Sequence, residues 1–461
     1  MSGAAILAEF VGTFMLVFTA GCTSLAKTDA TWAPTSIACT LMVMIYCFGA
    51  VSGGHLNPSV TLAAGLAKKH PFHLVVAYVC AQLLAGLAAG FCYCALFQAS
   101  VSVGPKAPYG WWEAAVVEVL YTGMLAFVVL SVTSKRNSPA DNPNQFFALA
   151  IGFVVIAGGY GAGPISGACF NPAVSLGLDI SGYDDGIAQG FLYFLYQAIG
   201  SVVAALLFRL TRPEDYKSDA ELARYTPSLA TKLASEFCGT FMLVLTVGLN
   251  TLVSSGATAW SAAASLMCMI YALGDVSGGH FNPAVTLAVT LSKKGGCPPR
   301  DGAAYIIIQL VAGILASLLY AGLHEVKTFP LGPKAPYTDG AAYVLEAIFT
   351  FVLAFTVLST AVVKGISSQL DRNYYFALAI GSCVTAGGIA SGNVSGGSLN
   401  PAVSFGIAVS HTLNYGHLYY CLTYCLAELF GGLLAAVIFY VTHAKEYRSA
   451  AAKPDQSLFS G

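Results

Sequence analysis

Charge is what this sequence has least of. Of its 461 residues only 9% are Asp, Glu, Lys or Arg, against roughly 25% in an ordinary soluble domain. That excludes a water-soluble globular enzyme, whose surface must be charged. The two signs nearly cancel, at −1, so no basic surface exists for a nucleic acid and no nucleic-acid partner is expected. The cysteines fall mostly inside apolar runs, Cys22, Cys39, Cys80 and Cys92 among them, with no metal-ligand spacing and no even set in loops. They read as small core hydrophobes, and no metal is expected. No nucleophile is paired with a base and no phosphate-binding loop is present, so neither an enzyme activity nor a cofactor is expected. The opening "MSGAAILAEFVGTFMLVF" lacks the basic start of a cleaved leader and is too long for one, which makes it a retained first span. The closing "DQSLFSG" carries no lipidation motif.

What the chain does have is apolar length. It is 56% hydrophobic with a mean hydropathy of +0.70, and many runs reach the ~20 residues that cross a hydrocarbon core. An all-α polytopic membrane protein is the expectation, in contact with membrane lipid. Spans are predicted at about 4–25, 34–50, 71–98, 112–134, 146–162 and 188–210, then at 230–253, 259–275, 303–324, 341–363, 375–390 and 416–442.

The second set repeats the first. "EFVGTFMLVFT" from Glu9 returns as "EFCGTFMLVLT" from Glu236, "VSGGHLNPSVTLA" from Val51 as "VSGGHFNPAVTLA" from Val276, and "GPKAPY" from Gly104 again from Gly332. The near-constant offset marks two fused homologous domains, residues 1–212 and 229–443, joined by a polar linker at 213–228 and followed by a tail at 444–461. Each domain divides again, because a Glu-bearing helix, a second helix, an Asn-Pro motif and a third helix occur twice in it. Three spans are an odd number, so the two copies insert in opposite directions as inverted repeats. Only Lys27, Lys106, Lys327 and Lys334 fall on the side away from the N-terminus. By the positive-inside rule both termini and the linker are cytoplasmic.

The Asn-Pro segments are too short to span. "NPSVTLAAGLA" runs eleven residues before Lys68 and Lys69, and "NPAVTLAVTLS" eleven before Lys293 and Lys294; at 1.5 Å per residue that is roughly 16 Å, half of a hydrocarbon core. Pro is harmless at a first helical position and Asn before it is a strong cap, so each Asn-Pro marks a helix start. The backbone leading into it must be buried in protein or line a water-filled path. In an inverted repeat the two half-helices of a domain meet by their N-termini. Asn57 with Asn171, and Asn282 with Asn400, then offer amide donors where both positive dipole ends point. Such a site suits neutral solutes in single file and repels cations.

These residues resemble the major intrinsic proteins, the aquaporins and aquaglyceroporins. Asn57-Pro58-Ser59, Asn171-Pro172-Ala173, Asn282-Pro283-Ala284 and Asn400-Pro401-Ala402 match the family's paired Asn-Pro-Ala motifs; Glu9, Glu118, Glu236 and Glu346 match its glutamates in the first and fourth helices. The resemblance covers nearly the whole chain twice. It implies two aquaporin-like domains, each of six transmembrane helices and two half-helices, conducting water or small uncharged solutes such as glycerol, urea or ammonia. It implies that the four glutamates brace the backbone before each half-helix. It also implies a homodimer, since the family assembles as four-barrel tetramers and two such chains supply four barrels.

The family's selectivity filter is where the sequence departs. By spacing from each Asn the filter positions are Ile37, Gly159, Ala168 and Val174 in the first domain and Ala262, Gly388, Gly397 and Val403 in the second. The filter Arg of the family is replaced by Val174 and Val403, and the His and aromatic partners of water-selective members are missing as well. A wider, apolar filter is expected. The competing readings are a structural protein whose apolar ring has closed, or whose Tyr160 or Phe170 fills the gap, and a proton-coupled carrier using the glutamates. His55, His280 and Asp275 are expected at the inner mouths, Asp275 tuning the second entrance. Glu428, aligned with Gln197, is expected to act in an amide-like manner.

Overall fold

The computed structural model describes residues 2–26, 28–29, 31–180, 188–363 and 374–448. Among these residues all regular structure is helical. The first domain holds α1 (Gly3–Leu25), α2 (Ala33–Ser52), α3 (Pro58–Leu66), α4 (Phe72–Phe97), α5 (Trp111–Val132), α6 (Phe147–Ser166), α7 (Pro172–Asp179) and α8 (Ala188–Thr211). After a linker turn, α9 (Asp219–Leu222), the second repeats the order: α10 (Leu229–Leu252), α11 (Thr258–Ser277), α12 (Pro283–Ser292), α13 (Pro299–Leu323), α14 (Asp339–Val357), α15 (Phe376–Ser391), α16 (Pro401–His411) and α17 (Tyr419–Thr442), with a short α18 (Ala444–Arg448) beyond. Among the described residues eleven helices are long and apolar enough to cross a membrane, and the 16-residue α15 is a shorter apolar one. The protein is an integral, multi-pass membrane protein. Lys27, Lys364, Arg372, Lys453 and residues 449–461 of the expected tail lie outside the described residues.

The observed spans differ from the sequence-based ones chiefly at their ends. The α13 helix opens at Pro299, earlier than expected, because Pro takes the first helical position and Asp301 favours the first turn. The α6 helix runs on past Pro164 to Ser166, where Gly167 closes it in the left-handed conformation.

Large side chains such as Leu84 and Phe91 on α4, Leu195 and Leu206 on α8 and Leu422 and Phe430 on α17 are exposed and face lipid. Small residues fill the interior. A Cβ added to Gly86 would stand 2.4 Å from the carbonyl oxygen of Ala173, and one on Gly90 2.3 Å from that of Gly177. The Gly-x-x-x-Gly face of α4 is therefore the seat of half-helix α7, backbone against backbone. Gly313 on α13 seats α16 in the same way, with its added Cβ 2.4 Å from the Ala402 oxygen.

The two domains meet where α5 and α6 of the first pack on α10 and α11 of the second. Polar contacts pin that apolar seam: Tyr121 Oη lies 2.9 Å from Thr246 Oγ1, Ser261 Oγ donates to Ala157 O at 2.9 Å, and Asn137 Nδ2 donates to Tyr271 O at 2.8 Å.

Candidate functional site

Each half-helix starts in the same way. Asn57, Asn171, Asn282 and Asn400 are extended caps whose Oδ1 accepts from the backbone N–H two residues on, of Ser59, Ala173, Ala284 and Ala402, at 2.8 or 2.9 Å. Pro58, Pro172, Pro283 and Pro401 hold the first helical position. The two starts of a domain face each other. Asn57 Nδ2 donates to Phe170 O and Asn171 Nδ2 to Leu56 O, both at 2.9 Å; Asn282 reaches Leu399 O and Asn400 reaches Phe281 O at the same distance. An amide group has two hydrogens. One crosses to the opposing loop, and the other is left for whatever occupies the cavity between them.

The acceptors of that exchange are the residues just before each Asn. Leu56, Phe170, Phe281 and Leu399 all sit in the left-handed region, with φ between 48° and 53°. Such a conformation costs about 1–3 kcal/mol for a bulky residue and persists only where its surroundings fix it. Here both polar groups are fixed: the carbonyl takes the opposing Asn, and the N–H donates to a buried glutamate at 2.7 to 2.9 Å.

Glu9, Glu118, Glu236 and Glu346 are fully buried. Each takes donors on both oxygens. Oε1 accepts from Ser52, Ser166, Ser277 or Ser395 Oγ at 2.6 or 2.7 Å and from the backbone N–H of His55, Cys169, His280 or Ser398. Oε2 accepts the N–H already named and, in three quarters of the molecule, a glutamine: Gln82, Gln197 and Gln309 donate from Nε2 at 2.8 or 2.9 Å. Four donors meet the four lone-pair sites of a carboxylate, which is what a buried charge requires. A tyrosine four residues before each glutamine holds the serine carbonyl: Tyr78 to Ser52, Tyr193 to Ser166, Tyr305 to Ser277 and, in the last quarter, Tyr424 to Ser395, at 2.7 to 2.9 Å. The motif Tyr-x-x-x-Gln, ending in Glu428 in the last quarter, is a sequence signal that an alignment of the four quarters displays and that reading two halves does not.

A cavity of about 500 Å³ in the first domain extends past Asn57 and Asn171, and its lining includes Ile37, Gly159, Ala168 and Val174. The second domain has a cavity of about 730 Å³ whose lining includes Ala262, Gly388, Gly397 and Val403 beside Asn282 and Asn400. An inner cavity of about 1080 Å³ shares His280 and Val357 with it. The glycines have a packing cause besides width. A Cβ on Gly159 would stand 2.7 Å from Pro34 Cβ, one on Gly388 2.8 Å from Ala259 Cβ, and one on Gly397 3.0 Å from Gly388 Cα. Tyr160 lines the first cavity with its hydroxyl held by Thr35 Oγ1 at 2.8 Å and Thr31 O at 2.5 Å. Phe170 lies against Tyr121, ring centroids 5.4 Å apart. The repeated "GPKAPY" loops set Lys106 and Lys334 on the rims of the two cavities, each bonded through its backbone N–H to the end of the preceding pore segment, Ile165 O and Val394 O.

His55 and His280, expected at the inner mouths, line the two cavities and are buried, with Nδ1 3.1 Å from Thr61 and Thr286 Oγ1. The expectation for Asp275 needs correction. It borders the inner cavity, but its carboxylate is taken by Arg212, with Nη2 at 2.5 Å from Oδ1 and Nη1 at 3.0 Å from Oδ2, and has Arg136 Nε at 3.9 Å. The guanidinium, fully buried at the end of α8, needs an anion more than the entrance does.

Two multi-span bundles, each with paired half-helices capped at a common centre, define a membrane channel fold. The family model for the major intrinsic proteins matches residues 2–185, 147–254 and 248–440. The chain belongs to the major intrinsic protein family, in tandem-duplicated form. It is similar to "Aquaporin NIP3-1" of Arabidopsis thaliana, 32% identical over 48% of this chain and 70% of that protein, and to "Nodulin-26" of Glycine max, 33% over 46% and 78%. A "Glycerol uptake facilitator protein-like 6" of Lactiplantibacillus plantarum is 31% identical over 45% of this chain and 98% of its own. Among solved structures, the aquaglyceroporin from Plasmodium falciparum aligns with a TM-score of 0.42 at 20% identity, over 48% of this chain and all of that one. The protein is a passive membrane channel for small solutes and not an enzyme.

Proposed function

We propose that each domain carries its own pore for water and small uncharged solutes, glycerol, urea or ammonia among them, through an apolar filter wider than that of a water-only channel. The observation that carries this reading is the pair of opposed asparagines in each cavity, each with one amide hydrogen left over beside two converging helix N-termini. That combination donates to neutral solutes and disfavours cations. Ile37, Gly159, Ala168 and Val174, with Ala262, Gly388, Gly397 and Val403, form the two filters; without the Arg, the helix ends alone supply the barrier to cations. Glu9, Glu118, Glu236 and Glu346 act as braces, each holding donors on both oxygens, rather than as a proton relay. Both termini and the linker are assigned to the cytoplasm by the distribution of Lys and Arg.

Two chains pair into a four-barrel assembly. The α10–α11 face is covered by α5–α6 within the chain, and its repeat equivalents are uncovered: Leu7, Val43 and Tyr46 on α1–α2, and Val344, Ile348 and Ile389 on α14–α15, are exposed. Two copies related by a two-fold axis cover both faces with the contact already made inside each chain.

Liposome shrinkage tests the function. Reconstituted protein is expected to speed volume change in sucrose and recovery in glycerol, urea or ammonium gradients over empty liposomes. Rates equal to empty liposomes for every solute overturn the proposal.

A further inference from the structure

The four glutamate braces are alike except one. In three of them a glutamine supplies the last donor; in the fourth, at Glu346, the same place on α17 is held by Glu428, which is fully buried. The roles of the two ends of the side chain can be followed across the repeat. Gln197 Oε1 accepts from Ser175 Oγ at 3.3 Å while its Nε2 donates to Glu118. Glu428 Oε1 accepts from Ser404 Oγ, the repeat equivalent of Ser175, at 2.7 Å, and also from Ser398 Oγ at 2.7 Å and Asn400 N at 3.1 Å. Oε1 thus takes the acceptor's part, and Oε2 is left in the part of the amide nitrogen. It is buried and has no hydrogen-bond partner among the described residues.

By the repeat, that oxygen stands where Gln197 has the Nε2 that donates to Glu118, on the side of Glu346, and no described residue donates to it. Ser398 Oγ lies 2.7 Å from Glu428 Oε1 and 3.1 Å from Glu346 Oε2, and with a single hydroxyl hydrogen it donates to one of them at a time. Among the described residues no ion pair includes either glutamate. The other titratable side chains packed around them are Tyr343 on α14 and Cys421, Tyr424 and Cys425 on α17; Tyr424 donates to Ser395 O and Cys425 to Pro401 O, so neither donates to the pair. A proton on Oε2 repairs the site: it makes Glu428 a donor of the same shape as Gln82, Gln197 and Gln309, and it leaves one negative charge where each of the other braces has one. Two carboxyls that share a site hold one proton between them for the same reason.

We propose that Glu428 binds a proton on Oε2 and donates it to Glu346, so that the second domain has a buried proton site where the first has an amide. The ligand is the proton itself, and the site lies behind the loop Ser395–Asn400 that forms one side of the second cavity. Loss of that proton would set two charges against each other behind the loop, a liability confined to one of the two barrels.

Infrared spectra of the full protein in lipid, in H₂O and D₂O at neutral pH, test this. The wild type is expected to show a protonated-carboxyl stretch that shifts on deuteration, and Glu428→Gln to lose it while folding as well as wild type and keeping its thermal stability at alkaline pH better. A wild type without such a band, or a Glu428→Gln protein that retains it, overturns the proposal. Failure of Glu428→Gln to fold overturns it equally, because a protonated acid and an amide would then not be equivalent at this position. The readout is independent of flux and stands or falls apart from the channel reading.

Discussion

Arg212 closes the first domain and grips Asp275 of the second: the guanidinium is wholly buried, and two of its nitrogens reach the two carboxylate oxygens at 3.0 and 2.5 Å. A third contact, from Nη2 to Ala272 O at 2.6 Å, ties the same side chain to the C-terminal turn of α11, whose carbonyls attract a cation. Glu214, equally buried, lies 3.6 Å from the same guanidinium, so loss of Asp275 leaves Arg212 one carboxylate, whereas loss of Arg212 strands two. Asp275→Ala is expected to destabilise the protein by roughly 1–3 kcal/mol, and Arg212→Met by about 3–5 kcal/mol. Thermal unfolding in detergent compares them.

Val174 and Val403, proposed for the place of the family's filter Arg, both border the cavities. Val174→Arg with Val403→Arg is expected to slow glycerol by roughly tenfold, the scale of steric discrimination in a fixed pocket, and to slow water less. Stopped-flow light scattering on proteoliposomes measures both rates. Equal loss of the two would show that these positions do not select.

His70 places its ring edge-on to His55, with centroids 4.8 Å apart, and Tyr78 stands beside both. Burial, and then Lys69, hold its imidazole below the usual histidine range. It is therefore neutral through neutral pH and charges only in more acid solution than an exposed histidine. The second domain has Gly295 at the corresponding position, after Lys293 and Lys294. With glycerol passage through the second domain slowed by Val403→Arg, glycerol flux is expected to be flat around neutrality and to fall on acidification, and His70→Gly to flatten the acid limb.

Gly90 lies against the Gly177 carbonyl of α7 with no room for a side chain. Gly90→Leu is expected to unseat the half-helix at a cost of roughly 2–3 kcal/mol. Gly163→Ala on α6, where an added Cβ meets nothing within 4 Å, is expected to be neutral or slightly stabilising. Melting curves read by size-exclusion chromatography distinguish the two.

The half-helices were legible in the sequence because their signals are local: Asn and Pro at a helix start, followed by a run too short to span. The duplication was legible because long strings recur. The left-handed residues were not, since Leu56, Phe170, Phe281 and Leu399 are bulky types that disfavour that conformation, and only contacts from opposite sides of the domain hold them there. Asp275 was half legible for a related reason. It borders a cavity, as its neighbours in the chain suggest, but its partner is 63 residues away in the other domain. The serines and tyrosines of the four braces were visible as letters, but their meaning depends on a fourfold comparison with the buried glutamates as its centre.

The cavities of the two domains are unequal, about 500 and 730 Å³, and a single polypeptide bears both. Wherever this gene product is inserted, the smaller and the larger cavity arrive in equal number, so a cell cannot enrich one by adjusting transcription of the other. Any difference in what they carry becomes a fixed property of the membrane that holds them.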